Sequence, residues 1–490
     1  MNQEEMPFLQ SLCKEKNRSL TSFHMPAHKR TQFGPSLLFD YYGSNLNQAD
    51  LVEINGNIDY LHSPKAELLQ AQQLAAQAYG VDETFFLING STVGNLAAIM
   101  SVVGQGEKLL VSRASHRSVY GGMIVSGCIP IYIQPEYDQQ IQYPVAINVA
   151  TVQRLLDEHP DIVAIHLTSP NYYGIVSDIE TICQLAHQRN KIIIVDEAHG
   201  AHFHFHEKFP RSAIDCKADL IIHSTHKSQG SLTQSAMLHV NFNPNKSIQR
   251  NRLIQMLTLL QSSSPNSILL ASLDAIRMQM SLHGHQLLSN VFDLSQQARH
   301  SIQQIDGLKC YDDQLIGQNH IFNYDPSKLI VSLAKLNLTG YEASYILRNQ
   351  FHVEVEFCSI KHLIFSITIA DTHSTIDKLI DALKCVSSSY QHDCQSSLDL
   401  ISPPNDLPTM AMSLRDASFT SKTRSIDFDE SVGYILCETI IPYPPGIPLL
   451  LPGEIIQQKH LDYIKYLIQH GASVIGLQDT TFKTIQILIQ

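Results

Sequence analysis

Ile192-Ile193-Ile194-Val195-Asp196-Glu197-Ala198-His199-Gly200 is the stretch that decides the fold. Four β-branched apolar residues in a row read as a strand buried on both faces, the kind a parallel sheet uses. The chain turns polar at Asp196, so that carboxylate stands at the carboxyl end of the strand. Ligands of open α/β sheets sit beyond those ends. A second apolar run, Leu220-Ile221-Ile222, leads in the same way into Ser224-Thr225-His226-Lys227. A carboxylate and a lysine, each just past a strand, are what pyridoxal 5'-phosphate (PLP) chemistry needs. The amine forms a Schiff base with the aldehyde, and the carboxylate keeps the pyridine nitrogen protonated.

The surrounding sequence alternates in the same style. Residues 65–79 carry helical spacing and stop at Gly80. Thr84 to Ile88 read as a strand, Asn89-Gly90-Ser91-Thr92 as a turn, and Val93 to Val103 as a helix ending at Gly104. Residues 108–111, 162–167 and 219–223 are further β-rich runs, and 178–189 is helical. Strands alternating with helices predict an α/β domain with a mostly parallel sheet. Residues 247–260 and 267–282 read as helices leading out of it. The expected division is an N-terminal segment (1–50), a large domain (51–280), a smaller α+β domain (281–390), a polar, turn-rich linker (391–425) and a C-terminal α+β domain (426–490).

Gly90-Ser91-Thr92 lies where a strand meets a helix. Exposed backbone N–H groups, the positive helix end and two hydroxyls suit a phosphate there. An ordinary N-cap would use the same residues, but beside Lys227 they become a phosphate cradle, with Ser224 and His226 as further donors. His199, closest to Asp196, is expected to face the cofactor. His116 opens a helix after a strand, where its flat ring can stack on a pyridine or simply be half-buried. Asp196-Glu197-Ala198-His199 also spells the DEAH box of nucleic-acid helicases. That reading needs a Walker A loop, and the chain has no Gly-Lys pair. His199, His202, His204 and His206 invite a metal reading, since imidazoles at i, i+2 and i+4 share one face of a strand. No partner with familiar zinc spacing accompanies them, and no metal is expected.

Composition narrows the remaining classes. With 490 residues, 44% hydrophobic and 16% charged, the chain suits a globular protein of two to four domains. A net charge of -12 gives nucleic acid no global attraction. Nine cysteines, none in a CxxC pair, read as free thiols of a reducing cytoplasm. Neither a signal peptide nor an uninterrupted apolar run of 18 residues is seen, so no membrane association is expected.

At this point the residues resemble a known family. Phe23-His24-Met25-Pro26-Ala27-His28-Lys29, Asp59-Tyr60-Leu61-His62-Ser63-Pro64, Phe85 to Asn95, Asp196 to Gly200, Ser224 to Lys227, Gln261-Ser262-Ser263-Ser264-Pro265 and Pro442 to Pro448 follow in order. Together they resemble the Orn/Lys/Arg decarboxylases of PLP fold type I, in the short bacterial form without an N-terminal wing. The resemblance implies a PLP-dependent transferase-like large domain. It makes Lys227 the Schiff-base lysine, Asp196 the partner of the pyridinium and His116 the ring that stacks. Gly90, Ser91, Thr92, Ser224 and His226 then hold the phosphate, with His199 beside the cofactor. It further implies a homodimer, or an assembly of dimers, in which Ser263 or Ser264 reaches the neighbouring phosphate. Lys65-Ala66-Glu67, where the family often has a small residue, and Ser263, where it often has Thr, depart from the pattern and bear on the subunit contact.

The expected reaction is decarboxylation of a basic L-amino acid, arginine to agmatine first, lysine to cadaverine next, ornithine to putrescine third. Two alternatives stay open. One is another fold type I reaction, such as transamination or elimination, for which Arg113, Arg277 or Arg415 would clamp the substrate carboxylate. The other is a non-catalytic regulator. Glu53, Glu438, Glu454 and Asp479 are the carboxylates offered for reading the substrate's far end.

Overall fold

The computed structural model describes residues 1–18, 20–31, 37–53, 56–242, 248–390, 401, 403–404, 406–443 and 446–489. Pro444 and Pro445 of the proline-rich motif and residues 391–400, 402 and 405 of the expected linker, Cys394 among them, lie outside them. Thirteen elements matter most for the site. In chain order they are α1 (Pro7–Lys16), α2 (Glu67–Tyr79), β1 (Glu83–Leu87), α3 (Gly90–Val102), β2 (Lys108–Ser112), α4 (Arg117–Ser126), β3 (Ile129–Ile133), β4 (Ile162–Thr168), α5 (Ile179–Gln188), β5 (Ile192–Asp196), β6 (Leu220–His223), β7 (Ala236–Val240) and α6 (Ser267–Gln303). The fold class is α/β, as the alternation predicts.

Two compact units share the chain. The first comprises Met1–Val102, Ile192–Glu207 and Arg211–Leu288. Its strands run in the order β1-β7-β6-β5, with β5 and β6 parallel and Asp196 opposite Ile222. The strands β7 and β6 are antiparallel, as are β1 and β7. Ile193, Ile194, Val195, Ile221 and Ile222 have no exposed surface, as a strand covered on both faces requires. Helix α3 lies tight on this sheet because Gly94 has no side chain. A Cβ there would come within 2.9 Å of both Ile222 and Leu87. Helix α2 ends where the sequence predicts, on Gly80 in the left-handed region. Its start is held from a distance. The Asp59 carboxylate accepts the backbone N–H groups of Lys65, Ala66 and Leu68 at 2.8 to 3.1 Å, so this motif residue caps a helix.

The second unit comprises Val103–Lys191, Lys208–Pro210 and Ser289–Gln490. Strands β4, β2 and β3 are parallel in that order. A four-stranded antiparallel sheet is built from Lys309–Cys310, Lys328–Ser332, His362–Ser366 and Phe357–Cys358. Near the C-terminus Thr423–Asp427 pairs with Thr484–Leu488, Ile441–Tyr443 pairs with Ser473–Ile475, and the helix Gln458–Gln469 buries Leu461 and Ile464 in their core. Within the segment expected as linker, Leu414–Phe419 is helical, capped by Ser413, and Thr423–Asp427 is that paired strand. Among the described residues no helix is long and apolar enough to cross a membrane, and the described cysteines are free thiols.

Candidate active site

In the first unit the two decisive side chains ride on neighbouring parallel strands. Asp196 closes β5 and is 3% exposed. Its Oδ2 accepts a hydrogen bond from Asn95 Nδ2 at 2.8 Å, and its Oδ1 accepts the backbone N–H of Ala198 at 3.1 Å. Strand β6 runs into a single helical turn, Thr225–Ser228, which carries Lys227. Lys227 Nζ lies 2.9 Å from Nε2 of His199. His199 follows Asp196 by three residues on the loop leaving β5 and is itself buried. The lysine amine, an imidazole and a clamped carboxylate are thus supplied by the ends of two adjacent strands.

A second group of the expected residues lies on α3 and the lysine turn. Gly90 opens the helix with φ +72°, a conformation glycine adopts without strain. Ser91 Oγ lies 2.5 Å from Ser224 Oγ, joining the first turn of α3 to the residue before the lysine turn. Thr92 is exposed in that same first turn. His226 Nδ1 lies 2.8 Å from the carbonyl of Ser235. A carbonyl only accepts, so Nδ1 carries the proton. Burial, reinforced by the charge of Lys227, lowers the His226 pKa, against the pull of the Ser235 carbonyl. The ring is therefore neutral at pH 7 and offers Nε2 as an acceptor.

Ser264 is exposed on the segment after Gln261. Gln261 Oε1 accepts the N–H of Ile88, and Asn89 Oδ1 accepts that of Ser262, which pins this segment beside the turn before α3. Tyr60 donates to the Ser263 carbonyl at 3.1 Å, and His62 Nε2 lies 2.8 Å from the Ser262 carbonyl. Two of the family-like motifs therefore meet here. His116 belongs to the second unit. It is the N-cap of α4, its Nδ1 accepting the Ser118 N–H at 3.3 Å.

The histidine run does not share a strand face. Phe203–Phe205 form a 3-10 turn, which sends the rings apart. His199 meets Lys227, His204 meets Asp215 at 3.0 Å, and His206 stacks on His285. The arginines offered as carboxylate clamps are each engaged. Arg113 forms a buried pair with Glu454 (3.2 Å) and also donates to the carbonyls of Pro448 and Leu449. Arg277 pairs with Asp274 at 2.6 Å, and Arg415 donates to the carbonyls of Ile124 and Val125. Burial raises the Glu454 pKa while the Arg113 charge opposes it. Three of the carboxylates offered for the substrate's far end are likewise bonded: Glu454 to Arg113, Glu438 to the N–H groups of Gln478 and Gln486, and Asp479 to Thr481 and Thr484. Glu53 is half-buried and accepts one longer bond, from Gly56 N at 3.3 Å.

Sequence reading missed a buried polar chain beneath these residues. The Glu197 carboxylate accepts Ser212 Oγ at 2.6 Å and Ala213 N at 2.8 Å, and lies 2.7 Å from His223 Nε2. His223 Nδ1 is 3.1 Å from His239 Nε2, and His239 Nδ1 is 2.9 Å from Thr84 Oγ1. Burial first, then the neighbouring histidines, hold the His239 pKa well below its ordinary value. One assignment satisfies the chain: Thr84 donates to His239, His239 to His223, and His223 to Glu197. It bridges strands that lie far apart in sequence. Asn95 was also missed, although one signal pointed to it. It stands four residues after Ser91, one turn further along the same face of the helix.

A lysine, a buried carboxylate and a serine-lined helix start, at the strand ends of an α/β fold, define a fold type I architecture. The chain belongs to the Orn/Lys/Arg decarboxylase family. Residues 6–374 match the family's major domain and residues 402–481 its C-terminal domain. It is 37% identical to an arginine decarboxylase of Halalkalibacterium halodurans, over 99% of this chain and 98% of that protein. It is 35% identical to an arginine decarboxylase of Bacillus subtilis, over 100% and 99%. Among solved structures, lysine decarboxylase A from Pseudomonas aeruginosa superposes with a TM-score of 0.84 at 21% identity, covering 99% of this chain and 80% of that one.

Proposed function

We propose that this protein is a PLP-dependent carboxy-lyase that converts L-arginine to agmatine and carbon dioxide, with lysine the second substrate and ornithine the third. The observation that carries the reading is the pairing of Lys227 Nζ with His199 Nε2 next to a carboxylate fixed by Asn95 and Ala198. The residues fit PLP. Lys227 supplies the amine for the aldehyde, and Asp196 the anion for the pyridinium. Ser91, Thr92 and Ser224 supply donors for a phosphate, at a helix start that favours negative charge; Gly90, whose N–H is given to the Gln234 carbonyl, leaves room beside them, and His226 would join them only with Nε2 protonated. We assign His116 to stacking on the ring, and Ser264 to a phosphate contact across a homodimer.

When bound, PLP supplies the sink for the electron pair left by departing carbon dioxide. The protein's own residues do the rest. Asp196, held at both oxygens, would face the ring nitrogen with its carboxylate already fixed. His199 Nε2 and Lys227 Nζ exchange a proton across 2.9 Å, which leaves one of them ready to protonate the substrate α-carbon. An aminotransferase would want an arginine for the substrate carboxylate, and Arg113, Arg277 and Arg415 are all occupied elsewhere. Two arginine decarboxylases at 37% and 35% identity over nearly their whole lengths support arginine as substrate. We place the enzyme in the cytoplasm, in keeping with its free thiols. Carbon dioxide release from labelled arginine, lysine and ornithine tests the proposal: arginine should be turned over fastest. Release from none of the three, or formation of a keto acid, would refute it.

A further inference from the structure

The loop that carries His199 ends at a second cluster of ligating side chains, formed by His206, Glu207 and His285. His285 Nε2 lies 3.1 Å from Glu207 Oε2, and His206 Nδ1 lies 3.8 Å from the same oxygen. One ligand atom from each residue falls within 4.8 Å of the others. The His206 side chain is 1% exposed, whereas those of Glu207 and His285 are 72% and 66% exposed. One ligand is therefore fixed by packing, and the other two reach the cluster from the surface.

The backbone brings them together by a specific device. His206 leaves the 3-10 turn Phe203–Phe205 in extended conformation. His285 lies on α6 one residue after Gly284, and a Cβ at Gly284 would sit 3.3 Å from Phe205 Cβ. The glycine lets the turn press directly onto the helix, and the flanking residues meet at its rim. The two imidazoles stack with centroids 4.3 Å apart and planes inclined by 22°.

We infer that His206, Glu207 and His285 form a binding site for a divalent transition metal, Zn2+ by class, with water completing the coordination. Two imidazoles and one carboxylate are the donor set of many open zinc sites. Bond lengths of about 2.0–2.2 Å put neighbouring ligand atoms roughly 3.2–3.5 Å apart. The Glu207–His285 pair, at 3.1 Å, is already near that spacing, and closing the site requires the exposed His285 ring to turn out of its stack on His206 so that both imidazole nitrogens face one ion. Soft-to-borderline nitrogen donors favour zinc over magnesium or calcium, which prefer oxygen cages. The ion would tie the 203–207 turn to α6, and so fasten the far end of the loop that begins at His199. This inference stands apart from the assignment of the reaction.

The test is Zn2+ binding to the PLP-loaded enzyme, by competition with a chromophoric chelator, in the wild type and in His285→Gln and Glu207→Gln. Both substituted residues are largely exposed, so the variants should fold, and a circular dichroism spectrum checks this. The expected result is one more Zn2+ per chain in the wild type than in His285→Gln, with an affinity at least roughly tenfold weaker in Glu207→Gln. Crystals soaked in zinc should show anomalous density between the three residues. Equal stoichiometry and affinity in wild type and His285→Gln, or zinc density only elsewhere, would overturn the inference.

Discussion

Lys227 Nζ and His199 Nε2 stand 2.9 Å apart, close enough for a direct hydrogen bond between amine and imidazole. The two residues come from different strand ends, 28 positions apart in sequence. Substitution separates their duties. Lys227→Ala should abolish carbon dioxide release, since no other amine replaces it; retained turnover would end the assignment of that lysine. His199→Ala should leave a slower enzyme, by roughly 10²- to 10⁴-fold in kcat, the usual range for loss of a proton-transfer group. Single-turnover kinetics would read the difference.

Asn95 is predicted to act through Asp196. A hydrogen bond to a charged group contributes about 1.5–3 kcal/mol. Asn95→Ala should accordingly lower kcat/KM by roughly ten- to a hundredfold, while Asn95→Asp, which sets two carboxylates together, should be worse. If Asn95→Ala matches wild type in kcat/KM, the clamp on Asp196 is irrelevant to catalysis.

The chain Thr84–His239–His223–Glu197 is predicted to matter for stability. Glu197→Ala would leave Ser212, Ala213 and His223 without their shared acceptor in a site closed to water. Each stranded buried group costs about 1–3 kcal/mol. Urea unfolding should show a markedly lower midpoint, and an unchanged midpoint would contradict this account.

Acidification should weaken the fold through its buried histidines. Burial holds His239 well below its ordinary pKa, and lowers His362 and His460 to about 4. In the unfolded chain these rings take up protons near pH 6.5. Between that value and their folded pKa the unfolded state binds more protons, so stability falls as pH drops. Urea midpoints should decline steadily from pH 7 toward pH 4. In His239→Gln the decline should be shallower, and an identical slope would remove His239 from the explanation.

Local pattern revealed those parts of the molecule whose cause is local. The apolar runs 192–195 and 220–222 located two strands, and so the positions of Asp196 and Lys227 at their ends. Gly80 located the end of a helix. Contacts made by folding left no such trace. Arg113 and Glu454 are 341 residues apart, and the imidazoles of His223 and His239 meet only across a strand pair. Helix α6 runs to Gln303, well past residue 282 where its pattern fades. Gly284 lies in that added stretch, at the point where the Phe205 turn presses in. The histidine run shows the limit of spacing: residues at i, i+2 and i+4 would share one face of a strand, but a 3-10 turn parts the rings.

The register of β5 against β6, with Asp196 opposite Ile222, limits how this scaffold can be redesigned. Side chains alternate between sheet faces, so one residue added within either strand would turn its half of the machinery toward the wrong side. Length changes between Gly200 and Asp219 leave that alignment untouched. An engineer seeking new specificity would do best to vary the connections and leave the two strands as they stand.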